Sequence, residues 1–157
     1  MTSSSSAHAP AGRVAGVDYG TVRIGIAISD ARRTIASPLE NYTRRGQQAD
    51  GEHLRRLAIE ENIVLFVVGL PVHLDGRESQ KSREARDFGR WLGEVTGKPV
   101  EYFDERFTSA EAERYLGAAE LTKKQRKARL DKLAAQILLT AYLESGGKTE
   151  GTSGLDD

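Results

Sequence analysis

Ile63 to Gly69 is an unbroken apolar run, Ile-Val-Leu-Phe-Val-Val-Gly. An amphipathic element alternates or recurs; this run does neither. Its shortness and β-branched content predict a central strand buried on both faces, the pattern of a parallel sheet. Such a strand has to be covered above and below, so the rest of the chain has to provide helices for both faces of one sheet.

The flanking segments meet that demand. Arg13 to Asp18 reads as a strand ending in Asp-Tyr-Gly. Arg23 to Ser29 alternates around Ile24, Ile26 and Ile28, with Gly20-Thr21 suited to the tight turn between the two. A third strand is expected from Arg33 to Tyr42, with Pro38 marking an edge or a bulge. Ala49 to Glu61 is helix-like, with Leu54, Leu57 and Ala58 on one face. After the loop Leu70 to Glu78 come a helix over Ser79 to Thr96, stopped by Gly97-Lys98-Pro99, and a strand from Val100 to Phe103. Thr108 or Ser109 caps the next helix. The last helix runs from about Thr122 to Leu143, with Leu130, Leu133, Ala134, Ile137, Leu138 and Ala141 as its apolar stripe. Three strands in a meander followed by alternating units predict an α/β domain: a mixed five-stranded sheet, antiparallel then parallel, with helices on both faces.

The length of 157 residues fits one domain, expected at 13–144, between disordered tails at 1–12 and 145–157. No run approaches the roughly 20 apolar residues of a membrane helix. The Ser- and Ala-rich start carries no Lys or Arg and so does not resemble a signal peptide. With no Cys, thiolate nucleophiles, disulfides and Cys-based zinc sites are excluded. A cytoplasmic location is expected.

Three acids stand where they can converge. Asp18 ends the first strand within an apolar segment, Glu105 follows the strand Val100 to Phe103, and Asp131 lies beside the apolar stripe of the last helix. Strand C-terminal ends in an open sheet are where sites assemble. Carboxylates so gathered repel one another and need a cation. Mg²⁺ or Mn²⁺ suits them, and two ions roughly 3.5–4 Å apart would activate a water and stabilise the leaving oxygen of a phosphodiester. Each acid also has an ordinary structural explanation: Asp18 as a turn former, Glu105 paired with Arg106, and Asp131 as the i, i+4 partner of Lys127.

Net charge is zero, but without the acidic tail after Glu144 it becomes +2. Six bases, Lys123, Lys124, Arg126, Lys127, Arg129 and Lys132, fall in one short segment. They suit either a solvated helix face or a grip on a phosphate backbone.

Four stretches, in order, resemble the motifs of the YqgF family, known as Holliday junction resolvases or pre-16S rRNA nucleases. They are Val17-Asp18-Tyr19-Gly20-Thr21-Val22-Arg23-Ile24-Gly25; Val67-Val68-Gly69-Leu70-Pro71 with Asp75-Gly76; Asp104-Glu105-Arg106-Phe107-Thr108-Ser109; and Asp131-Lys132-Leu133-Ala134-Ala135. The resemblance covers roughly Arg13 to Leu143. It implies the RNase H-like fold and a divalent-metal nuclease with Asp18, Glu105 and Asp131 as catalytic metal ligands, holding a pair of Mg²⁺ or Mn²⁺ ions. The implied partner is structured RNA, pre-16S rRNA at its 5′ end, or branched DNA. A monomer or a homodimer is expected, and cutting a junction symmetrically would require the homodimer.

Around the acids, the backbone of Gly20 and Thr21 can approach a phosphate, Arg23 and Arg106 can stabilise charge on it, and Lys123, Lys124 and Lys127 can grip the flanking backbone. The family usually has Asn two residues after the Pro of the second motif. His73 stands there instead, able to bond a phosphate or serve as an ordinary loop residue.

Two other classes compete. Asp18-Tyr19-Gly20-Thr21 also resembles the first phosphate loop of actin-like and sugar-kinase folds, which need two such domains to enclose ATP; this chain has length for one. A nucleic-acid-binding module without catalysis would differ in that metal changes affinity but not cleavage.

Overall fold

The computed structural model describes residues 11–71, 77–117 and 120–147. The elements in chain order are β1 (Arg13–Asp18), β2 (Arg23–Ser29), β3 (Ala36–Thr43), α1 (Gln47–Glu60), β4 (Ile63–Leu70), α2 (Gln80–Thr96), β5 (Val100–Asp104), a 3-10 turn (Glu105–Thr108), α3 (Ser109–Leu116) and α4 (Lys123–Glu144). They build one sheet in the order β3-β2-β1-β4-β5. β1 pairs antiparallel with β2, which pairs antiparallel with β3; β4 runs parallel to both β1 and β5. This is the mixed sheet expected, in the RNase H-like arrangement.

The apolar run in β4 explains why the sheet is covered twice. Phe66 and Val68 belong to the core beneath α1 and α2, with Leu54, Leu57, Phe88 and Leu92. Val67 belongs to the core beneath α4, with Phe103, Leu138 and Leu139. Successive side chains of a strand point to opposite faces, so a strand feeding both cores has no polar position to spare.

Two local expectations need correcting. β3 starts at Ala36 rather than Arg33. The Asp30 carboxylate accepts the backbone N–H groups of Thr34 and Ile35, and Arg33 takes a left-handed φ of 61°, so residues 30–35 form a turn. Pro38 does sit on an edge strand, where the β2–β3 register shifts. The buried face of α4 is also rotated from the expected stripe. Ala135, Ile137, Leu138, Leu139, Ala141 and Tyr142 are buried, while Leu130, Leu133 and Ala134 are only half-buried.

α4 begins with a capping box: the Thr122 hydroxyl accepts from Gln125 N–H and the Gln125 side chain accepts from Thr122 N–H. The disorder expected at the two ends falls mostly at 1–10 and 148–157, outside the described residues. Within them, Gly12 is buried and its carbonyl accepts from Arg33 Nε. The N–H groups of Ser145, Gly146 and Gly147 bond back to the last turn of α4. No helix among the described residues is long and apolar enough to cross a membrane.

Candidate active site

Strand periodicity decides which way Asp18 points. Ala15 and Val17 lie in the core beneath α1 and α2, and Val14 lies in the core beneath α4. Gly16 and Asp18 therefore face α4. At Gly16 a β-carbon would come within 2.8 Å of Leu139 Cβ, so α4 rests directly on the β1 backbone there. Asp131, Ala135 and Leu139 are spaced i, i+4, i+8 and share one side of the helix. The side that seats Leu139 on Gly16 thus brings Asp131 towards Asp18.

Glu105 arrives from the other direction. β5 ends at Asp104, whose side chain accepts from Arg106 N–H at 2.9 Å and turns the chain into the 3-10 segment. The carboxylate of Glu105 then folds over Gly69, where a β-carbon would lie 2.5 Å from Oε2.

Asp18 lines three adjoining cavities. One, of about 380 Å³, is shared with Glu105, Gly20, Thr21, Arg23 and Lys81. A second, of about 730 Å³, is shared with Asp131, Arg23 and Lys132 and runs between the β2–β3 surface and α4. The third, of about 180 Å³, joins Asp18 and Glu105 to apolar side chains of α3 and α4.

The electrostatics fit this crowding. Burial, and then repulsion from Asp131, raises Asp18 from an ordinary 3.8 to about 6, against the opposing pull of the Lys81 ammonium. Burial, and then the charge of Asp18, raises Glu105 from 4.5 to about 7, with Lys81 again opposing. The three acids singled out in the sequence therefore do act on one another as a chain, with Asp18 between Glu105 and Asp131.

By charge and donor type the acids fit a hard divalent cation. Among the described residues, however, no three His, Asp or Glu side chains are gathered closely enough to enclose an ion. The Asp131 carboxylate is 3.3 Å from Lys127 Nζ and 67 % exposed. An exposed pair of this kind is worth about 0–1 kcal/mol, so Lys127 holds Asp131 only weakly.

Other expected site residues are placed unevenly. Gly20, Thr21 and Arg23 line the cavity. Gly20 has a further reason to be Gly, since a β-carbon would collide with the Arg23 carbonyl across the turn. Arg106 pairs with Asp104 rather than Glu105, through Nε and Nη2. Lys123, Lys124 and Lys127 lie on the exposed first turns of α4, outside the three cavities. His73 lies outside the described residues. Sequence reasoning missed Lys81, Gly69 as the seat of Glu105, and the 3 % exposed Asp104 as the anchor of Arg106. Of these only Asp104 carried a local signal, an Asp two residues before an N–H it can cap.

A model of the RuvX family, described as Holliday junction resolvase, matches residues 12–145. The chain belongs to the RuvX family. RuvX and YqgF name the same family, so the four-motif resemblance holds. A relative from Rhodopirellula baltica, named as a pre-16S rRNA nuclease, is 48 % identical over 134 residues, 85 % of this chain and 78 % of its own. One from Koribacter versatilis with the same name is 40 % identical over 136 residues, 87 % of this chain and 89 % of its own. Among solved structures, Thermus thermophilus RuvC is similar with a TM-score of 0.50 and 13 % identity, covering 87 % of this chain and 98 % of that one. At that identity the likeness concerns the fold, which RuvX here shares with RuvC.

Proposed function

We propose that this RuvX protein is a divalent-metal-dependent nuclease that hydrolyses phosphodiester bonds in structured nucleic acid, acting in maturation of the 5′ end of precursor 16S rRNA. The observation that carries this reading is Asp18, which lines one cavity with Glu105 and an adjoining one with Asp131, its pKa raised by burial and then by repulsion from Asp131. The name pre-16S rRNA nuclease on relatives at 40–48 % identity supports the substrate.

Asp18 and Glu105 would hold Mg²⁺ or Mn²⁺ in the cleft, joined by Asp131 once it leaves Lys127. The bound metal would supply an activated water and positive charge against the leaving oxygen. The protein's own side chains do the rest. Lys81 and Arg23 face the cavity from opposite elements and bind the phosphate. The Asp104–Arg106 pair fixes the turn that aims Glu105. Lys123 and Lys124 hold the flanking backbone through exposed, salt-sensitive contacts.

Holliday junction cleavage is the second reading, favoured by the description of the matching family. A labelled pre-16S 5′ fragment and a four-way DNA junction, incubated with wild type and Asp18→Asn in Mg²⁺, Mn²⁺ or EDTA, separate the two. RNA cleavage lost in EDTA and in the variant supports rRNA maturation. Symmetric junction cleavage supports resolution. If neither substrate is cut, the chain is a binding module; if Asp18→Asn cuts normally, the assignment of Asp18 to the cleavage site is wrong.

A further inference from the structure

Next to the catalytic cavity lies another, of about 510 Å³, that the cleavage chemistry does not use. The two cavities adjoin and share Tyr19, Thr21 and Glu84 in their walls. Its apolar surface is aromatic. Phe88, 5 % exposed, sits between Tyr19 at 4.9 Å and Trp91 at 5.6 Å between ring centroids. Tyr19 and Trp91 are half-buried and complete the aromatic wall.

Its charges argue against a phosphate. The one cation lining it, Arg44, is already committed: Nε lies 3.1 Å from the fully buried Asp50 carboxylate, and the guanidinium sits 5.7 Å from the Tyr19 ring centroid and 5.8 Å from that of Phe88. The remaining charged lining residues, Glu84 and Asp87, are anionic; Asp87 pairs with Arg90 at 3.1 Å and Glu84 accepts from Gln80 Nε2 at 3.1 Å, and each oxygen so engaged keeps a further lone pair. An anion entering would meet two carboxylates and a neutralised arginine. A flat, uncharged ring bearing N–H donors would meet aromatic surface and carboxylate acceptors.

We infer that this aromatic pocket receives one unpaired nucleobase of the substrate strand, a base with amino or ring N–H donors, while the adjoining phosphate lies beside Asp18. The inference rests on the nuclease reading and deepens it. Tyr19 directly follows Asp18, so a base held there belongs to a nucleotide next to the cleavage point. The pocket thereby selects substrates that can release a base from its stack, such as a single-stranded flank or a junction, over a continuous duplex.

The chain contains a single tryptophan, Trp91, so its fluorescence reports on this pocket alone. Short RNA and DNA oligonucleotides carrying an end label are titrated into the full-length protein in EDTA, with total binding followed by label anisotropy and pocket occupancy by Trp91 emission. A matched series places an abasic site at each position in turn. The expected result is Trp91 quenching that saturates with binding and is lost when one particular position is abasic, with affinity falling roughly 5- to 50-fold at that position. Trp91→Leu, which keeps the pocket apolar, should bind the abasic strand like wild type and lose its preference for the intact one. Binding with unchanged emission, or with equal affinity at every abasic position, overturns the pocket but leaves the nuclease reading standing. No binding and no cleavage of any strand overturns both.

Discussion

Glu105 lies over Gly69 so closely that a single added methyl group at Gly69 would come within 2.5 Å of the Glu105 carboxylate oxygen. Gly69 lies on β4, opposite Phe103 of the parallel neighbour β5 in register, and Glu105 opens the 3-10 turn that follows β5. The acid therefore reaches its place by crossing back over a position that has no side chain.

Gly69→Ala is expected to separate activity from stability. The atom it meets is the free end of a flexible side chain, so the fold yields by turning Glu105 aside. A carboxylate displaced by about 1 Å costs on the order of 100-fold in rate. Cleavage of the labelled substrate should fall by that order while thermal unfolding shifts by no more than a few degrees. Unchanged cleavage would mean that Glu105 is not needed where it lies.

Asp18→Asn is expected to abolish cleavage and to stabilise the metal-free protein. Asp18 and Glu105 ionise less readily in the folded chain than in the unfolded one, so the folded state binds more protons. The cost is absent below the unfolded value of 3.8, grows as pH rises, and is complete above the folded values of about 6 and about 7. At about pH 8 the variant should gain about 1–3 kcal/mol over wild type, and at about pH 3.5 almost nothing. Denaturant melts at the two pH values in EDTA check both. Added Mg²⁺ should raise the wild-type midpoint and leave the variant nearly unmoved.

Asp50 gives the opposite slope. Its burial alone would raise the pKa, but bonds from the Arg45 N–H, the Tyr42 hydroxyl and Arg44 outweigh it and hold the carboxyl below its usual value. The stability it contributes is present above the unfolded value and lost as pH falls through the lower folded one. Asp50→Ala leaves Arg44 without its buried partner and should cost about 3–5 kcal/mol at neutral pH. The gap between variant and wild type should narrow in acid-unfolding curves as pH falls below the ordinary aspartate range.

Lys123→Glu with Lys124→Glu should weaken nucleic-acid binding without touching the cleavage step. Losing two phosphate contacts lowers the magnitude of the log–log salt slope by about 1.4–1.8. Binding isotherms from low to moderate salt measure the slope, and single-turnover rates at saturating protein should stay within about 2-fold of wild type. An unchanged slope would place the nucleic acid elsewhere.

Where local patterning and tertiary demand coincide, the sequence is transparent. β1 and β2 occupy the residues expected of them, β2 through the alternation of Ile24, Ile26 and Ile28, and α4 begins beside the expected Thr122. The β3 start was hidden because Asp30 claims backbone groups that Thr34 and Ile35 could otherwise have given to a ladder. On α4 the expected Ile137, Leu138 and Ala141 are buried, but the buried side extends to Ala135 and Leu139 rather than Leu130 and Leu133, because Gly16 lets the helix sit closer on that line. That Asp18 lines cavities with both Glu105 and Asp131 was legible from strand ends and helix phase. Lys81 was not: it reaches the cavity from α2, remote in sequence from Asp18 and Glu105, and nothing in its neighbours marks it. The pairing of Arg106 with Asp104 rather than Glu105 likewise depends on a turn that only the folded chain displays.

The bare backbone of Gly16 under Leu139 acts as a length gauge. An extra residue between Asp131 and Leu139 would swing the acid about 100° around the helix axis, away from Asp18. An extra residue after Tyr142 would leave it in place. Homologous chains should therefore vary freely in length beyond the end of α4, and hold constant the two turns that separate its acid from its seat on the sheet.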